Sequence, residues 1–203
     1  MRRIIGLCAG LALMAFPVMA DAPFAPPTPL LDAGPAKSGP KVVAHGFTLN
    51  GIHGVLTKTT FAEVQKRFGG QVARQGDAGG SLAWLCYDLP AKHLRVWLMA
   101  SELYIQSGEI NGITVWSVPS PANSPLCPVP TGDQSAAIDG ISPGQSWATT
   151  EARLGTPGLA KSDWAAYAHA AKTEGGLDDD DSLTVKTDNG VVTDLQAWRT
   201  VTN

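Results

Sequence analysis

Two segments of the chain have the apolar spacing that is typical of a short amphipathic helix. In the first, Phe61, Val64 and Phe68 recur at three- and four-residue intervals, which places them on one helical face. In the second, Trp147 and Leu154 hold the corresponding apolar positions. A helix of about nine residues is marginally stable alone. We therefore expect each helix to pack against a sheet.

Apolar runs that predict antiparallel strands follow each helical segment. They cover residues 82–87, 94–99 and 113–118 after the first helix, and residues 183–187 and 191–198, with a weaker run around Tyr167, after the second. Asn111-Gly112 and Asn189-Gly190 are predicted hairpin turns, because both residue types tolerate the positive φ angles of a type I′ turn. The pattern indicates an α+β fold, in which a short helix (or helix-turn-helix) packs on a three- to four-stranded antiparallel sheet.

The helical segments belong to a longer internal repeat. Residues 54–70, GVLTKTTFAEVQKRFGG, superimpose on residues 140–156, GISPGQSWATTEARLGT, with a constant offset of 86. A repeat of this length predicts two tandem copies of one small module. We assign module 1 to residues 45–118 and module 2 to residues 137–203, joined by a proline-rich linker at 119–136.

The amino-terminal residues have the pattern of an export signal. Arg2 and Arg3 precede an apolar core, and a small-residue cleavage site ends at Ala20, so residues 1–20 are predicted to be a signal peptide. The apolar core is too short to be a convincing membrane anchor. Residues 21–44 contain six prolines without apolar periodicity, which predicts a disordered leader rich in Pro and Ala.

Charge and composition narrow the classes of partner. The chain has 15 basic and 18 acidic residues, and removing Arg2 and Arg3 leaves 13 against 18, a net charge of −5 with His neutral. This balance argues against nucleic acid, whose binding requires basic patches that contact phosphates. No later segment approaches membrane-spanning length. We expect a periplasmic or secreted protein without a transmembrane segment in its mature chain.

Export would leave two cysteines, Cys86 and Cys127, in the mature chain. An even pair in an oxidising compartment is most simply a disulfide. It would tie a strand of module 1 to the linker. The alternative is a reactive thiol or metal-binding pair, although no histidine lies at ligand spacing from either cysteine.

The tryptophans are the main candidates for partner binding. Alternation within residues 94–99 places Arg95 and Trp97 on the sheet face opposite the aliphatic side chains. Trp116 has the same orientation on the next strand, and Trp198 is a further candidate. Trp and Arg are enriched in the hot spots of protein interfaces. In the alternative interpretation, the rings close a second small core against the linker.

An acidic run is a second candidate for partner contact. Asp178, Asp179, Asp180 and Asp181 follow a glycine pair, so we interpret the run as a solvated loop that could dock a basic partner. Clustered carboxylates can bind Ca²⁺, but the ligand alternation of an EF-hand is missing.

No catalytic or cofactor motif stands out along the chain. His45, His53, His93 and His169 are scattered without paired metal-ligand spacing, and there is no Gly-x-Ser-x-Gly or phosphate-binding glycine motif. We therefore expect no enzyme activity, no cofactor and no metal site. A small hydrolase that uses His45 or His93 is the remaining catalytic alternative.

The repeated pattern resembles the β-lactamase-inhibitor-protein-like superfamily, which includes the small outer-membrane assembly lipoproteins of bacteria. The resemblance rests on the turn motifs at 54–57 and 140–143, on helices that end in Phe-Gly or Leu-Gly, and on Asn-Gly before the last strand of each copy. It covers about residues 45–203. It implies a non-catalytic fold that binds other proteins across a concave sheet surface. The cysteines depart from the pattern, since the inhibitors carry a bridge inside each module and the lipoproteins an acylation cysteine.

These observations predict an exported, non-catalytic module that binds another protein, as an inhibitor of an envelope or secreted protein. The alternative is a structural component of the envelope that acts in outer-membrane assembly.

Overall fold

The computed structural model describes residues 24–27, 44–77, 80–119 and 124–203. The expected signal peptide at 1–20, most of the leader and part of the linker lie outside these residues. The elements, in chain order, are β1 (Gly46–Leu49), β2 (Ile52–Val55), α1 (Phe61–Phe68), β3 (Ala73–Gln75), β4 (Leu82–Leu89), β5 (Leu94–Ser101), α2 (Glu102–Ile105), β6 (Gly112–Ser117), β7 (Ala136–Ile138), α3 (Trp147–Leu154), β8 (Leu159–Lys161), β9 (Trp164–Lys172), β10 (Asp178–Asp188) and β11 (Val191–Thr202). The fold is α+β, mostly antiparallel sheet with three short helices in the described residues, as the pattern predicts.

The two eight-residue helices begin and end where the apolar spacing places them. At α1, the Thr60 hydroxyl accepts a hydrogen bond from the backbone N–H of Glu63, whose carboxylate accepts one from the N–H of Thr60, so a capping box is present. Ser146 precedes α3 in an extended conformation without a side-chain cap. Gly69 and Gly155 end the helices with φ angles of 69° and 78°, which favour glycine.

A buried tyrosine closes the C-terminus of each of these helices. The hydroxyl of Tyr87 donates to the carbonyl of Gly69 at 2.7 Å, and that of Tyr167 donates to the carbonyl of Gly155 at 3.2 Å. Burial raises the pKa of both phenols, that of Tyr167 to about 12, so both remain donors at neutral pH. These bonds satisfy carbonyls that have no partner within the helix.

One continuous eight-stranded antiparallel sheet spans both parts of the chain. Its strand order is β3-β4-β5-β6-β11-β10-β9-β8. Each half of the sheet is a four-stranded meander preceded by a helix, and the halves join where β6 pairs with β11, with Leu195 opposite Val115 and Trp198 opposite Gly112. In each half, the first strand lies at the outer edge of the sheet and the fourth strand lies at the junction, so the strand order is the same when counted from either edge.

A second, three-stranded sheet also connects the two parts of the chain. Its order is β2-β1-β7, so β7 from the second half pairs with β1 from the first. The Asp139 carboxylate, directly after β7, accepts hydrogen bonds from the backbone N–H groups of His45 and Gly46 at 2.7 and 2.8 Å. The two parts of the chain are therefore joined by strand pairing in both sheets and not by a linker alone.

The main core lies between the eight-stranded sheet and the helices. It takes alternate residues of every long strand, so that Val96, Val115 and Leu195 form one continuous layer across the middle strands. Phe61 and Leu154 contribute the buried faces of α1 and α3. Among the described residues, the longest α-helices have eight residues, and none meets the length and hydropathy of a membrane span.

The two Asn-Gly pairs differ in their structural roles. Asn189-Gly190 forms the predicted tight turn between β10 and β11, with φ angles of 49° and 76°. The prediction of a hairpin at Asn111-Gly112 is wrong, because β5 and β6 are joined by a longer connection that contains α2. Asn111 is instead buried, and its side chain bonds the backbone N–H of Ser101 and the carbonyl of Arg199. It satisfies buried backbone groups of β5 and β11 at once.

The predicted disulfide is present between Cys86 on β4 and Cys127 in the segment before β7. Both residues are buried, and their sequence separation is 41 residues. The bond fixes residues near Cys127 against the sheet face opposite α1 and α3. The backbone N–H of Asp88 donates to the carbonyl of Pro128 at 3.3 Å, which extends the same attachment.

Removal of the disulfide should lower the free energy of unfolding without abolishing the fold. A crosslink that closes a loop of this length contributes about 2–4 kcal/mol, and the main core lies on the other face of the sheet. Urea denaturation of the double variant Cys86→Ala/Cys127→Ala should show this loss, and the wild-type chain in excess reductant should match it. A loss below about 0.5 kcal/mol in both would contradict the prediction.

Candidate functional site

The open face, defined here as the face of the eight-stranded sheet opposite α1 and α3, carries the polar and aromatic residues. In β5, Leu94, Val96 and Leu98 belong to the main core, whereas Arg95 and Trp97 lie on the open face. This is the arrangement that strand alternation predicts. The orientation decides which candidate residues share one surface.

Three rows of residues cross the open face at right angles to the strands. From β4 to β9, strand register makes the middle row Cys86, Trp97, Thr114, Gln196, Thr184 and Ala166. The row on one side of it is Asp88, Arg95, Trp116, Asp194, Lys186 and Trp164. The row on the other side is Trp84, Met99, Gly112, Trp198, Ser182 and Ala168. The middle row has mostly small side chains beyond β5. We call this row, together with Trp116 and Trp198 on either side of it, the groove, and its residues beyond β5 are at most 7% exposed.

Part of this groove holds the chain's own amino-terminal strap, defined as residues 24–27. The indole N–H of Trp97 donates to the carbonyl oxygen of Phe24 at 2.8 Å, and the Gln196 amide donates to the carbonyl of Pro27 at 3.4 Å. Phe24 and Ala25 pack in the apolar cluster of the open face. The expectation of a disordered leader therefore does not hold for these four residues. The composition of the leader could not indicate this packing, because the sheet face that it contacts is formed by distant parts of the chain.

Arg95 is held rigidly at one end of the strap. Its guanidinium donates to both oxygens of Asp88, at 2.6 and 3.0 Å, in a fork geometry. Asp88 is 1% exposed and Arg95 12% exposed, so water screens the pair weakly. The same guanidinium lies 4.7 Å from the ring centroid of Phe24 and 5.8 Å from that of Trp97. It fixes the strap's aromatic ring by a cation–π contact.

The three tryptophans predicted for binding differ in exposure. Trp97 is only 5% exposed and belongs to a second core with Cys127, as the alternative interpretation supposed. Trp116 is half-buried, and its ring centroid lies 5.8 Å from that of Trp164. Trp198 is also half-buried, although its indole nitrogen is shielded from solvent and has no hydrogen-bond partner in the described residues. Such a donor costs about 1–3 kcal/mol until an acceptor reaches it.

A pocket of about 380 Å³ lies on the open face beside the groove. Its lining includes Trp198, Ser182 and Ala168 from one wall of the groove, together with Asp180 and Thr200. The pocket lies over β9, β10 and β11, whereas the two backbone hydrogen bonds of the strap reach β5 and β11. The pocket therefore lies to one side of the strap's two described hydrogen bonds.

The acidic run forms part of strand β10 rather than a solvated loop. Asp178, Asp179, Asp180 and Asp181 all pair with β9 and β11, because the turn falls earlier, at residues 173–177. Alternation then divides the carboxylates between the two faces of the sheet. The interpretation as one solvated docking loop is therefore wrong, since Asp181 is buried and the Asp179 side chain is only 15% exposed.

Two of these carboxylates have cationic neighbours, and a third lies beside a histidine. Arg199 donates to both oxygens of Asp179, at 2.8 and 2.7 Å, and this bond holds the pKa of Asp179 below its usual range. Lys172 contacts Asp178 at 2.6 Å at the surface, and the Nδ1 atom of His169 lies 3.3 Å from Asp181. The run consequently presents less free negative charge to a partner than its sequence suggests.

Two sets of potential metal-ligating atoms come together in the described residues. His45, Asp179 and Asp181 offer atoms within 4.8 Å of one another, but Arg199 already binds both oxygens of Asp179. A guanidinium this close opposes a cation electrostatically. In the second set, Cys86 and Cys127 are joined to each other and offer no thiolate beside Asp88.

Several groove residues were absent from the sequence interpretation. Phe24, Asp88, Thr114 and Gln196 contribute to the groove or its contents. Trp164, which we expected on a helical or loop surface, lies in β9 beside Trp116. Phe24 could have been noticed as the one aromatic residue of the proline-rich leader. The others depend on register between strands that are distant in sequence.

Comparison of the chain with protein-family models, curated proteins and solved structures yields no match.

The Gly112→Ala variant should disturb the wall formed by Trp198. A Cβ atom at Gly112 would lie 2.6 Å from the Trp198 ring, so the ring must move or the β6–β11 pair must separate. We expect a loss of about 1–3 kcal/mol in urea unfolding, as for other overpacked sites, together with a changed tryptophan fluorescence spectrum. Gly175→Ala, where the nearest atom would be 3.8 Å away, is the matched control and should change neither. Equal behaviour of the two variants would contradict this packing.

The Asp179–Arg199 pair should make stability depend on pH in the acidic range. The pKa of Asp179 is lowered in the folded chain, so its stabilisation is complete above the unfolded-state pKa and is lost as pH falls through the folded-state pKa. Asp179→Asn should cost about 3 kcal/mol at pH 7, because it leaves Arg199 buried without its partner, and less at pH 3. Asp178→Asn removes only an exposed pair and should cost less than about 1 kcal/mol. Urea unfolding at both pH values checks this; equal costs for the two variants at pH 7 would refute it.

Proposed function

We propose that the chain is an exported protein-binding module that engages its partner through the groove on the open face. The observation that carries the proposal is the strap itself: an extended segment lies on this face, with a Trp97 indole donating to its backbone and Arg95 against its aromatic ring. A surface that accommodates one extended segment has the donors, rings and shape to accommodate another. Trp97 and Gln196 bind the strap through its main-chain carbonyls, and this mode of binding suits a protein ligand better than a small metabolite.

The chemistry of the groove favours protein recognition in two further ways. Half-buried rings such as Trp116 and Trp198 offer large rigid contact area with little loss of side-chain entropy. The Arg95–Asp88 fork keeps a cation in place before a partner arrives, so little ordering is needed on binding. Asp180 adds one exposed carboxylate at the pocket. In this proposal the acidic run contributes through Asp180 more than through its paired members.

We also propose that the two halves are tandem copies of one module. The helices occupy residues 61–68 and 147–154, at the repeat offset of 86, and each ends in a glycine whose carbonyl binds a buried tyrosine. The palindromic strand order of the sheet supports the same origin. Ahead of the helices the offset does not hold, since Gly54 lies within β2 but Gly140 lies in a turn. This arrangement is compatible with the inhibitor-like resemblance.

An affinity experiment with matched variants tests the proposed function. The chain expressed from Asp21 would be immobilised and exposed to an extract of its own cell envelope. A partner that binds through the groove should be retained by wild type and by Leu103→Ala, which alters a side chain 68% exposed outside the groove. Trp116→Ala and Trp198→Ala should each weaken capture by about 30-fold, the effect of a 2 kcal/mol hot spot.

Each variant must first show wild-type circular dichroism, with Trp198→Phe as a milder substitute if Trp198→Ala unfolds. Equal capture by all variants would refute binding at the groove. Co-sedimentation with outer membrane or peptidoglycan that the groove variants do not change would favour the envelope-component alternative.

A further inference from the structure

The strap crosses the strands instead of running along them. Its first contact, at Phe24, is to Trp97 on β5, and its last, at Pro27, is to Gln196 on β11, with β6 between the two. The distance across two strand spacings is about 9.6 Å. Three residues of polyproline II helix advance about 9.3 Å. The strap therefore has the length of an extended proline-type segment laid across the floor of the groove.

The groove and the strap match the chemistry by which proline-rich segments are recognised. Pro26 and Pro27 have no backbone N–H, and proline restricts the preceding residue to extended conformations. Such a segment exposes carbonyl acceptors and loses little entropy on binding. Aromatic grooves whose side chains donate to those carbonyls are the usual receptors for it. Trp97 is a donor of this kind, and Trp116 and Trp198 are aromatic walls.

The groove is longer than the part that the strap's hydrogen bonds reach. Thr184 and Ala166, which follow Gln196 in the middle row, are only 7% and 0% exposed, so the accessible space on this side is the pocket of about 380 Å³ beside them. The Trp198 ring forms part of the lining of this pocket, although its indole N–H is shielded from solvent. A ligand segment that spans both parts could contact the pocket in addition to the donors that hold the strap.

We propose that the groove binds an extended proline-rich segment of the partner protein, and that the strap is an intramolecular competitor which this segment displaces. This inference rests on the proposed function for its partner. The strap occupies the site that the segment needs. It therefore lowers the affinity of the free chain for any ligand that binds more weakly than the strap or is too short to reach beyond it. Only a segment that makes the additional contacts beyond Gln196 competes well.

The strap has the properties of a displaceable ligand. Phe24 has a φ angle of 64°, a left-handed conformation that costs free energy for a phenylalanine. Its two described backbone bonds are at 2.8 and 3.4 Å, the second being weak. Covalent linkage keeps the strap near the groove at high effective concentration, which compensates for this modest affinity. Its departure leaves the main core on the other face intact.

The test uses a synthetic nonapeptide with the sequence of residues 21–29, Asp-Ala-Pro-Phe-Ala-Pro-Pro-Thr-Pro, added to the chain expressed from Asp21. Phe24→Ala weakens the attached strap and leaves the groove unchanged. Fluorescence anisotropy of the labelled peptide should give a Kd at least tenfold lower for the Phe24→Ala chain than for wild type. A peptide with alanine in place of its phenylalanine should not bind, and Leu103→Ala should behave as wild type.

Indole resonances in a ¹⁵N-labelled chain provide a second measurement for weak binding. The Trp97 N–H signal should move in Phe24→Ala and return toward its wild-type position when the peptide is added. Adding Trp97→Phe to Phe24→Ala should remove most of the peptide affinity, since it deletes the donor while keeping a ring. A Trp97 signal that stays in place up to about 1 mM peptide, the effective concentration of short linkers, would overturn the inference. Concentration-dependent dimers that exchange the strap between two chains would also overturn it.

The outcome is distinguishable from failure of the proposed function. If a captured partner depends on Trp116 and Trp198 but the peptide neither binds nor competes with it, the groove binds partners in another way. If the peptide binds and no partner is captured, the groove recognises such segments but the proposed function fails.

Discussion

The pairing of β6 with β11 is the constraint on which the rest of the structure depends. It joins two four-stranded meanders into one sheet, and it aligns the residues of both meanders into rows across the open face. The floor of the groove passes from Thr114 to Gln196 at this junction, where the Gln196 amide also donates to the Thr114 hydroxyl at 3.0 Å. The absence of a side chain at Gly112 lets the Trp198 ring lie against the backbone of the neighbouring strand. Without this junction there would be two small sheets and no groove between their tryptophans.

Buried polar groups specify the register of the junction. Asn111 accepts from the backbone of Ser101 and donates to the carbonyl of Arg199, so it connects β5 with β11 immediately beside the first residue of β6. At the other end, the Asp194 carboxylate accepts from the backbone N–H of Ser117 at 2.6 Å. A shift by one residue would leave these groups buried without partners and would move every side chain to the opposite face. The same groups that set the register therefore determine which face is apolar and which carries the groove.

Local patterns were sufficient for the helices, the disulfide and the orientation of β5. Apolar spacing and glycine placed α1 and α3 correctly, because the bounds of an eight-residue helix depend on residues within it and directly beside it. The pairing of β6 with β11 was not predictable in this way. Its paired residues are 80 to 86 positions apart in sequence, from Val115 with Leu195 to Gly112 with Trp198, and neither strand carries a local sequence signal for the other. Asn111 was misjudged for the same reason: its role comes from Arg199, not from the adjacent glycine. Aspartate is rare in strands, so placing residues 178–181 in β10 needed knowledge of their partners Arg199 and His169.

The position of the strap gives the binding hypothesis a thermodynamic consequence. A groove lined by Trp97, Trp116 and Trp198 would expose a large apolar patch if it were empty, and such patches promote non-specific association. Residues 24–27 cover part of that surface, at the cost of competing with the ligand. The affinity of the free chain is then its intrinsic affinity reduced by the fraction of molecules whose groove is open. Specificity follows from the same competition, because a segment must exceed what the strap already provides, and it can do so only through contacts on the β9–β10 side of the groove.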